Sequence, residues 1–165
     1  MAMTAMGITV TTVSTDQQAP LGFIHLEPAS AQAGLAAADT AQNSGDRTWI
    51  YIKNTSGSAF AAGEVCRRAD GAEANATLQA TTDHPAKVIG VAQHAIANGS
   101  YGFVLRKGHG KAVYSAACTV AKGLVTSGAL ASVTGSGAVT DAVIGHCTIA
   151  VGGAGLGDAY LNCCG

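Results

Sequence analysis

The stretch Val88-Ile-Gly-Val-Ala-Gln-His-Ala-Ile-Ala-Asn-Gly99-Ser-Tyr101-Gly-Phe-Val-Leu-Arg106 decides the class of fold. Two runs of aliphatic, β-branched and aromatic residues flank an Asn98-Gly99 pair. Asn-Gly enters the positive-φ conformation of a tight turn at little cost, so the stretch predicts a strand, a turn and an antiparallel partner. Working towards the N-terminus, Thr48-Trp-Ile-Tyr-Ile-Lys53 alternates bulky and polar groups as a strand does, and Asn54-Thr-Ser-Gly57 closes it with a turn. Towards the C-terminus, further short strands are expected at Lys111–Ser115, Leu124–Thr126, Ala129–Val133, Val143–Ala150 and Asp158–Asn162, with Gly152–Gly157 as a hairpin loop. No long helical pattern interrupts them, which argues against a parallel α/β sheet. The expected class is all-β: a small β-sandwich or barrel of short antiparallel strands.

An internal echo refines that expectation. Phe60-Ala-Ala-Gly63-Glu-Val65 resembles Val120-Ala-Lys-Gly123-Leu-Val125. Further on, Val88-Ile-Gly90 matches Val143-Ile-Gly145, and Tyr101-Gly-Phe-Val-Leu105 matches Leu156-Gly-Asp-Ala-Tyr160. The pieces recur in the same order, which predicts two similar halves built on one β plan.

Residues 1–46 differ from the β-rich domain expected over 47–165. Two short β-like runs, Ile8–Val13 and Leu21–Leu26, stand in a polar and Ala-rich stretch, and Ala29–Ala41 has the composition of a weak helix. The region reads as an extended arm. Its apolar residues Ile8, Val10, Val13, Leu21, Phe23 and Ile24 are the candidate interface, suited to adding a strand to a neighbour's exposed sheet edge.

Composition narrows the function. Only 12% of the 165 residues are charged, against roughly 25% in ordinary soluble domains, and the net charge is -1. A surface so poor in charge is easier to explain as interface, and no global field draws in nucleic acid or an anionic membrane. Aromatics make up 5% of the chain, so Trp49, Tyr51, Phe60, Tyr101 and Phe103 must anchor much of the core. The first seven residues hold no basic group, no secretory leader is expected, and no run approaches 18 apolar residues. The five cysteines, Cys66, Cys118, Cys147, Cys163 and Cys164, are therefore expected to be reduced thiols of a cytoplasmically made protein.

A search for chemistry ends without a constellation. His25, His84, His94, His109 and His146 show no His-x-x-x-His spacing, and the adjacent pairs His146-Cys147 and Cys163-Cys164 point to opposite faces of a strand. No serine occupies a Gly-x-Ser-x-Gly elbow, and the carboxylates fall mainly in inferred turns. Gly152-Gly-Ala-Gly-Leu-Gly157 lacks the following helix that a phosphate cradle needs. Arg67-Arg68 reads as charge on a solvated strand edge, with no interleaved aromatics for stacking bases. No catalytic residue, metal site, cofactor, nucleic-acid partner or membrane partner is expected, and the chain reads as non-enzymatic.

The run Val88–Gly108, preceded by Ala61-Ala-Gly63-Glu-Val65, resembles the small head decoration (cement) proteins of tailed bacteriophages. The shared pattern is a Gly-x-Val strand start, an Ile-Gly-Val strand, and a Gly-x-Tyr-Gly hairpin; the likeness covers roughly residues 47–165. It implies a structural virion protein on the outer capsid surface, assembled in the host cytoplasm, that bridges and stabilises major capsid subunits. It also implies a homo-oligomer, a trimer being favoured. Two other classes compete: a tail or fibre subunit, and a β-sandwich module that binds a surface.

Overall fold

The computed structural model describes residues 4–5, 7–28, 45–69, 72–78, 85–127, 132–136 and 143–163. Among these residues twelve strands follow one another: β1 Thr4–Ala5, β2 Ile8–Thr9, β3 Ile24–Glu27, β4 Arg47–Asn54, β5 Val65–Ala69, β6 Ala72–Leu78, β7 Val88–Val91, β8 Tyr101–Tyr114, β9 Gly123–Thr126, β10 Val133–Ser136, β11 Gly145–Cys147 and β12 Gly155–Asn162. A single 3-10 turn at Pro85–Lys87 is the only helical element among the described residues. The all-β class is therefore observed, and the Asn98-Gly99 turn appears with Gly99 at a φ of 80°. The expected helix at Ala29–Ala41 lies outside the described residues.

The strands close into two five-membered rings. The first runs β4-β8-β7-β5-β6 and returns to β4 through a parallel pair, Lys53 with Asn75 and Asn54 with Ala76. The second runs β8-β12-β11-β9-β10 and returns to β8 through another parallel pair, Val133 with Tyr114. Both rings use β8, a strand of 14 residues whose first half faces β4 and whose second half faces β12. From the sequence, Tyr101–Arg106 and Lys111–Ser115 read as separate strands because Gly108-His-Gly110 sits between them. In the fold they are one strand. Gly108 carries a φ of 112°, and a Cβ there would lie 2.7 Å from the Asp46 carbonyl oxygen, so glycine lets the shared strand bend past β4 without breaking.

Register shows that the two barrels are copies of one plan. The Phe60–Ile96 bridge of the first corresponds to the Cys118–Val151 bridge of the second. The paired hydrogen bonds Gly63 N–H to Ala92 O and Ala92 N–H to Glu64 O recur as Ala121 N–H to Cys147 O and Cys147 N–H to Lys122 O. Even a side-chain bond repeats: Thr55 Oγ1 donates to Ala76 O at 3.2 Å, and Ser115 Oγ to Val133 O at 3.3 Å. These pairs set Val88–Leu105 against Val143–Tyr160, as the sequence echo has it. They correct the other part of the echo: Phe60 corresponds to Cys118 and Gly63 to Ala121, two residues earlier than the glycine match gave. Gly90 and Gly145 are equivalent for a physical reason. A Cβ on Gly90 would sit 2.8 Å from Leu105 O, and one on Gly145 would run into Tyr160 O, the corresponding atom.

Each barrel has its own filling. Ile50, Ile52, Phe60, Cys66, Ala76, Ile89, Ala92, Ile96 and Val104 form the first interior. In the second, Tyr114 supplies the aromatic bulk that Phe60 supplies in the first, and Cys118 takes the place of Phe60 itself. A larger cluster joins Trp49, Tyr51, Val65, Val91, Phe103 and Leu105 on the outside of the first barrel to Ala112, Tyr114, Leu124 and Leu161 of the second. Trp49, Tyr51, Phe60 and Phe103 are buried, and Tyr101 is packed against the core, so the aromatics anchor it as expected.

Candidate interaction surface

The segment 7–28 lies on the outer face of the first barrel. That face carries Trp49, Tyr51, Phe103 and Tyr101, too much aromatic surface to leave in water. Tyr51 stacks near Tyr101 with centroids 6.2 Å apart and tilts against Phe103 at 5.0 Å. The segment is fixed to this face by backbone bonds: Ser14 exchanges two hydrogen bonds with Tyr101, Gly22 N–H donates to Tyr51 O, and Tyr51 N–H donates to Phe23 O. Gln18 N–H adds a bond to the Tyr51 hydroxyl at 3.1 Å. β3 then pairs with β4 from Ile24–Ile50 to Glu27–Arg47. Glu27 accepts a hydrogen bond from Trp49 Nε1 at 2.8 Å and faces Arg47 at 3.9 Å, a buried polar link across this pair.

The six residues expected at an interface are thus divided. Ile8 and Val10 are buried within the chain's own core, and Phe23 is half-buried against it. Val13, Leu21 and Ile24 remain exposed, at 37%, 36% and 43%. Leu26 is more exposed than any of these, at 56%; the alternation of Ile24, His25, Leu26 and Glu27 along β3 is the signal that marks it.

The matching face of the second barrel is not covered by any described segment. Lys111 stands where Tyr51 stands in the first and Asp158 where Phe103 does; the two form an ion pair at 2.9 Å. His109 and His146 flank the Tyr160 ring with centroids 5.1 and 5.2 Å away. Burial lowers the His109 pKa from its ordinary value, helped by the charges of His146 and Arg47. Leu156 corresponds to Tyr101 and is 53% exposed. Val120, Val143 and Ile149 are the other exposed large aliphatics among the described residues of this half.

The remaining reactive groups are packed away. Cys66, Cys118 and Cys147 are free thiols, and all three are buried, as is Cys163. Burial pushes the Cys66 thiol far up, and it raises Cys118 to about 11 with the neighbouring Cys147 thiol acting the same way. Thiols held protonated in this manner are poor nucleophiles and poor metal ligands. Burial also lowers the His94 pKa, and neither ring nitrogen of His94 has a hydrogen-bond partner. Among the described residues, no three His, Cys, Asp or Glu side chains gather as a metal-binding set. No helix among them is long and apolar enough to cross a membrane.

The fold therefore defines an all-β protein of two fused five-stranded barrels whose outer surfaces carry its accessible chemistry. No protein-family profile and no curated protein sequence matches the chain. Among solved structures, the head fiber gp8.5 N base of bacteriophage phi29 is similar in fold. The TM-score is 0.52 at 11% identity, over 70% of this chain and 94% of that one.

Proposed function

We propose that this chain is a structural component of a bacteriophage particle, held on the outside of the head. The observation that carries the reading is the fold shared with the N base of a phage head fibre across 94% of that chain. Composition supports it independently. A chain in which only 12% of residues are charged loses little on desolvating its surface, and buried apolar area contributes about 25 cal/mol per Å² before association costs. As a homo-oligomer, a trimer by the resemblance, each cluster touches several major capsid subunits, so modest contacts sum to firm attachment. In this role the chain bridges neighbouring subunits and stiffens the shell without any chemical step.

A second reading has its own support: the similar structure is a fibre base, so this chain serves equally as the foot of a projecting fibre. One experiment separates the two and tests both. Purified protein is mixed with undecorated heads and imaged by electron microscopy. Density between capsid subunits over the whole lattice is the bridging outcome; a few projecting spikes are the fibre outcome. Heads that stay bare at every ratio of protein to capsid would overturn the shared proposal.

A further inference from the structure

We propose that copies of this chain join head to tail, the outer edge of β3 in one copy pairing with β12 at Leu156 of the next. The inference deepens the reading of the chain as a self-associating particle component and rests on it. Closing a sheet into a barrel removes its free backbone edges, so any that remain stand out.

Among the described residues the first free edge is β3, the terminal strand of the ten-stranded sheet. Tyr51 N–H donates to Phe23 O, and His25 and Glu27 stand opposite Trp49 and Arg47. The antiparallel alternation then turns the N–H and C=O of Ile24 and Leu26 away from β4. Both side chains are exposed, while His25 and Glu27 are buried, so the outward face of this edge is apolar and uncharged. Edge strands that stay single are guarded by charge or a bulge; the open face of β3 carries no charge, and the bulge that Gly22 and Phe23 make opposite Tyr51 comes before Ile24.

The second lies on the other barrel. Val113 N–H donates to Gly63 O at 2.8 Å, away from β12. Leu156, opposite Val113, is therefore in a non-hydrogen-bonded pair and directs its own N–H and C=O away from β8. β11 does not reach it, since that strand pairs only with Ala159–Leu161. The first barrel shows what this position accepts. Its equivalent residue, Tyr101, binds Ser14 by two antiparallel backbone hydrogen bonds of 2.8 and 3.1 Å. At Leu156 no described residue plays the part of Ser14.

Donor and acceptor edges are thus on one chain, both aliphatic and uncharged, and on different barrels. A contact between unlike edges is not reciprocated, so it propagates from copy to copy; a rotation that returns to the first copy closes it as a ring, as the oligomer of the proposed function requires, and any other would give a filament.

Light scattering of the full chain tests this with Leu26→Lys and Leu156→Lys, and with Leu26→Ser and Leu156→Ser if a lysine disturbs the fold. The wild-type chain is expected to be a closed oligomer and each variant alone a monomer. An equimolar mixture of the two variants is expected to give a 1:1 heterodimer, because one intact edge of each kind survives. An Leu156 variant that keeps the wild-type size overturns the inference in favour of pairing between like edges, and a monomeric wild type overturns it outright. In either case, attachment of the wild-type chain to heads is scored separately, and its success leaves the proposed function standing.

Discussion

Ala121 has a φ of 65° where its counterpart Gly63 has 86°. An L-residue in the left-handed region costs about 1–2 kcal/mol, partly offset by the entropy glycine loses on folding. Ala121→Gly is therefore expected to stabilise the protein by about 0.5–1 kcal/mol in urea denaturation. Gly63→Ala should destabilise it by about 1–3 kcal/mol, since the added Cβ meets the Leu156 side chain and lies 3.0 Å from Val113 N. The sequence echo paired Gly63 with Gly123 because two glycines look alike; backbone hydrogen bonds, which the sequence does not display, pair Gly63 with Ala121. A second residue-level effect concerns pH. His94 and His109 have folded pKa values below the ordinary 6.5, so their neutral forms contribute stability that is complete above that value. As pH falls below 6.5 the unfolded chain takes up protons first and stability declines, until the folded pKa values are passed. Melting temperature measured from pH 7.5 to 5 should fall, and His94→Leu should flatten the curve; an unchanged slope in that variant would assign the effect elsewhere.

At the scale of elements, the two barrels allow an internal comparison. Phe60 is fully buried, and Phe60→Ala is expected to cost about 3–5 kcal/mol through the cavity it leaves. Cys118→Ala, at the equivalent place in the second barrel, removes one sulfur atom and is expected to cost only about 1–2 kcal/mol. Chemical denaturation of the two variants measures the difference. The strands that the sequence displayed were those with apolar faces, such as β4, β7 and the start of β8. The Gly63-Glu-Val65 strand start leads into β5, but Arg67-Arg68 lies inside the sheet between β6 and β7 and is half-buried, so the expected solvated edge is corrected. β6 is not legible because Ala72-Glu-Ala-Asn-Ala-Thr-Leu78 lacks the alternation of a half-buried strand. Both strands are held by pairing on both sides, β5 between β6 and β7 and β6 between β5 and β4, which local composition does not reveal.

For the whole molecule, the shared strand and the continuous cluster from Trp49 to Leu161 predict one cooperative unit. Calorimetry should show a single transition, with calorimetric and van't Hoff enthalpies equal. Leu105→Ala, at the contact between barrels, should lower hydrogen-exchange protection in β5 and β11 alike; loss confined to one barrel would show two independent domains. Removing residues 1–23 should expose Tyr51 and Phe103 and lower solubility, measurable as aggregation during refolding, because residues 7–23 lie on the aromatic face of the first barrel.

By itself the sequence determined the class of fold, the turn at Asn98-Gly99, the aromatic anchors and the existence of two similar halves. Each of these follows from local patterning: side-chain period, turn chemistry and composition. Tertiary structure alone decided that β8 is one strand serving two barrels, that Ile8 and Val10 turn inward while Leu26 turns out, and that no described residue pairs with Leu156 as Ser14 does with Tyr101. Those facts depend on which backbone groups find partners far along the chain, and hydrogen bonding between distant strands leaves no periodic mark on the residues that make it.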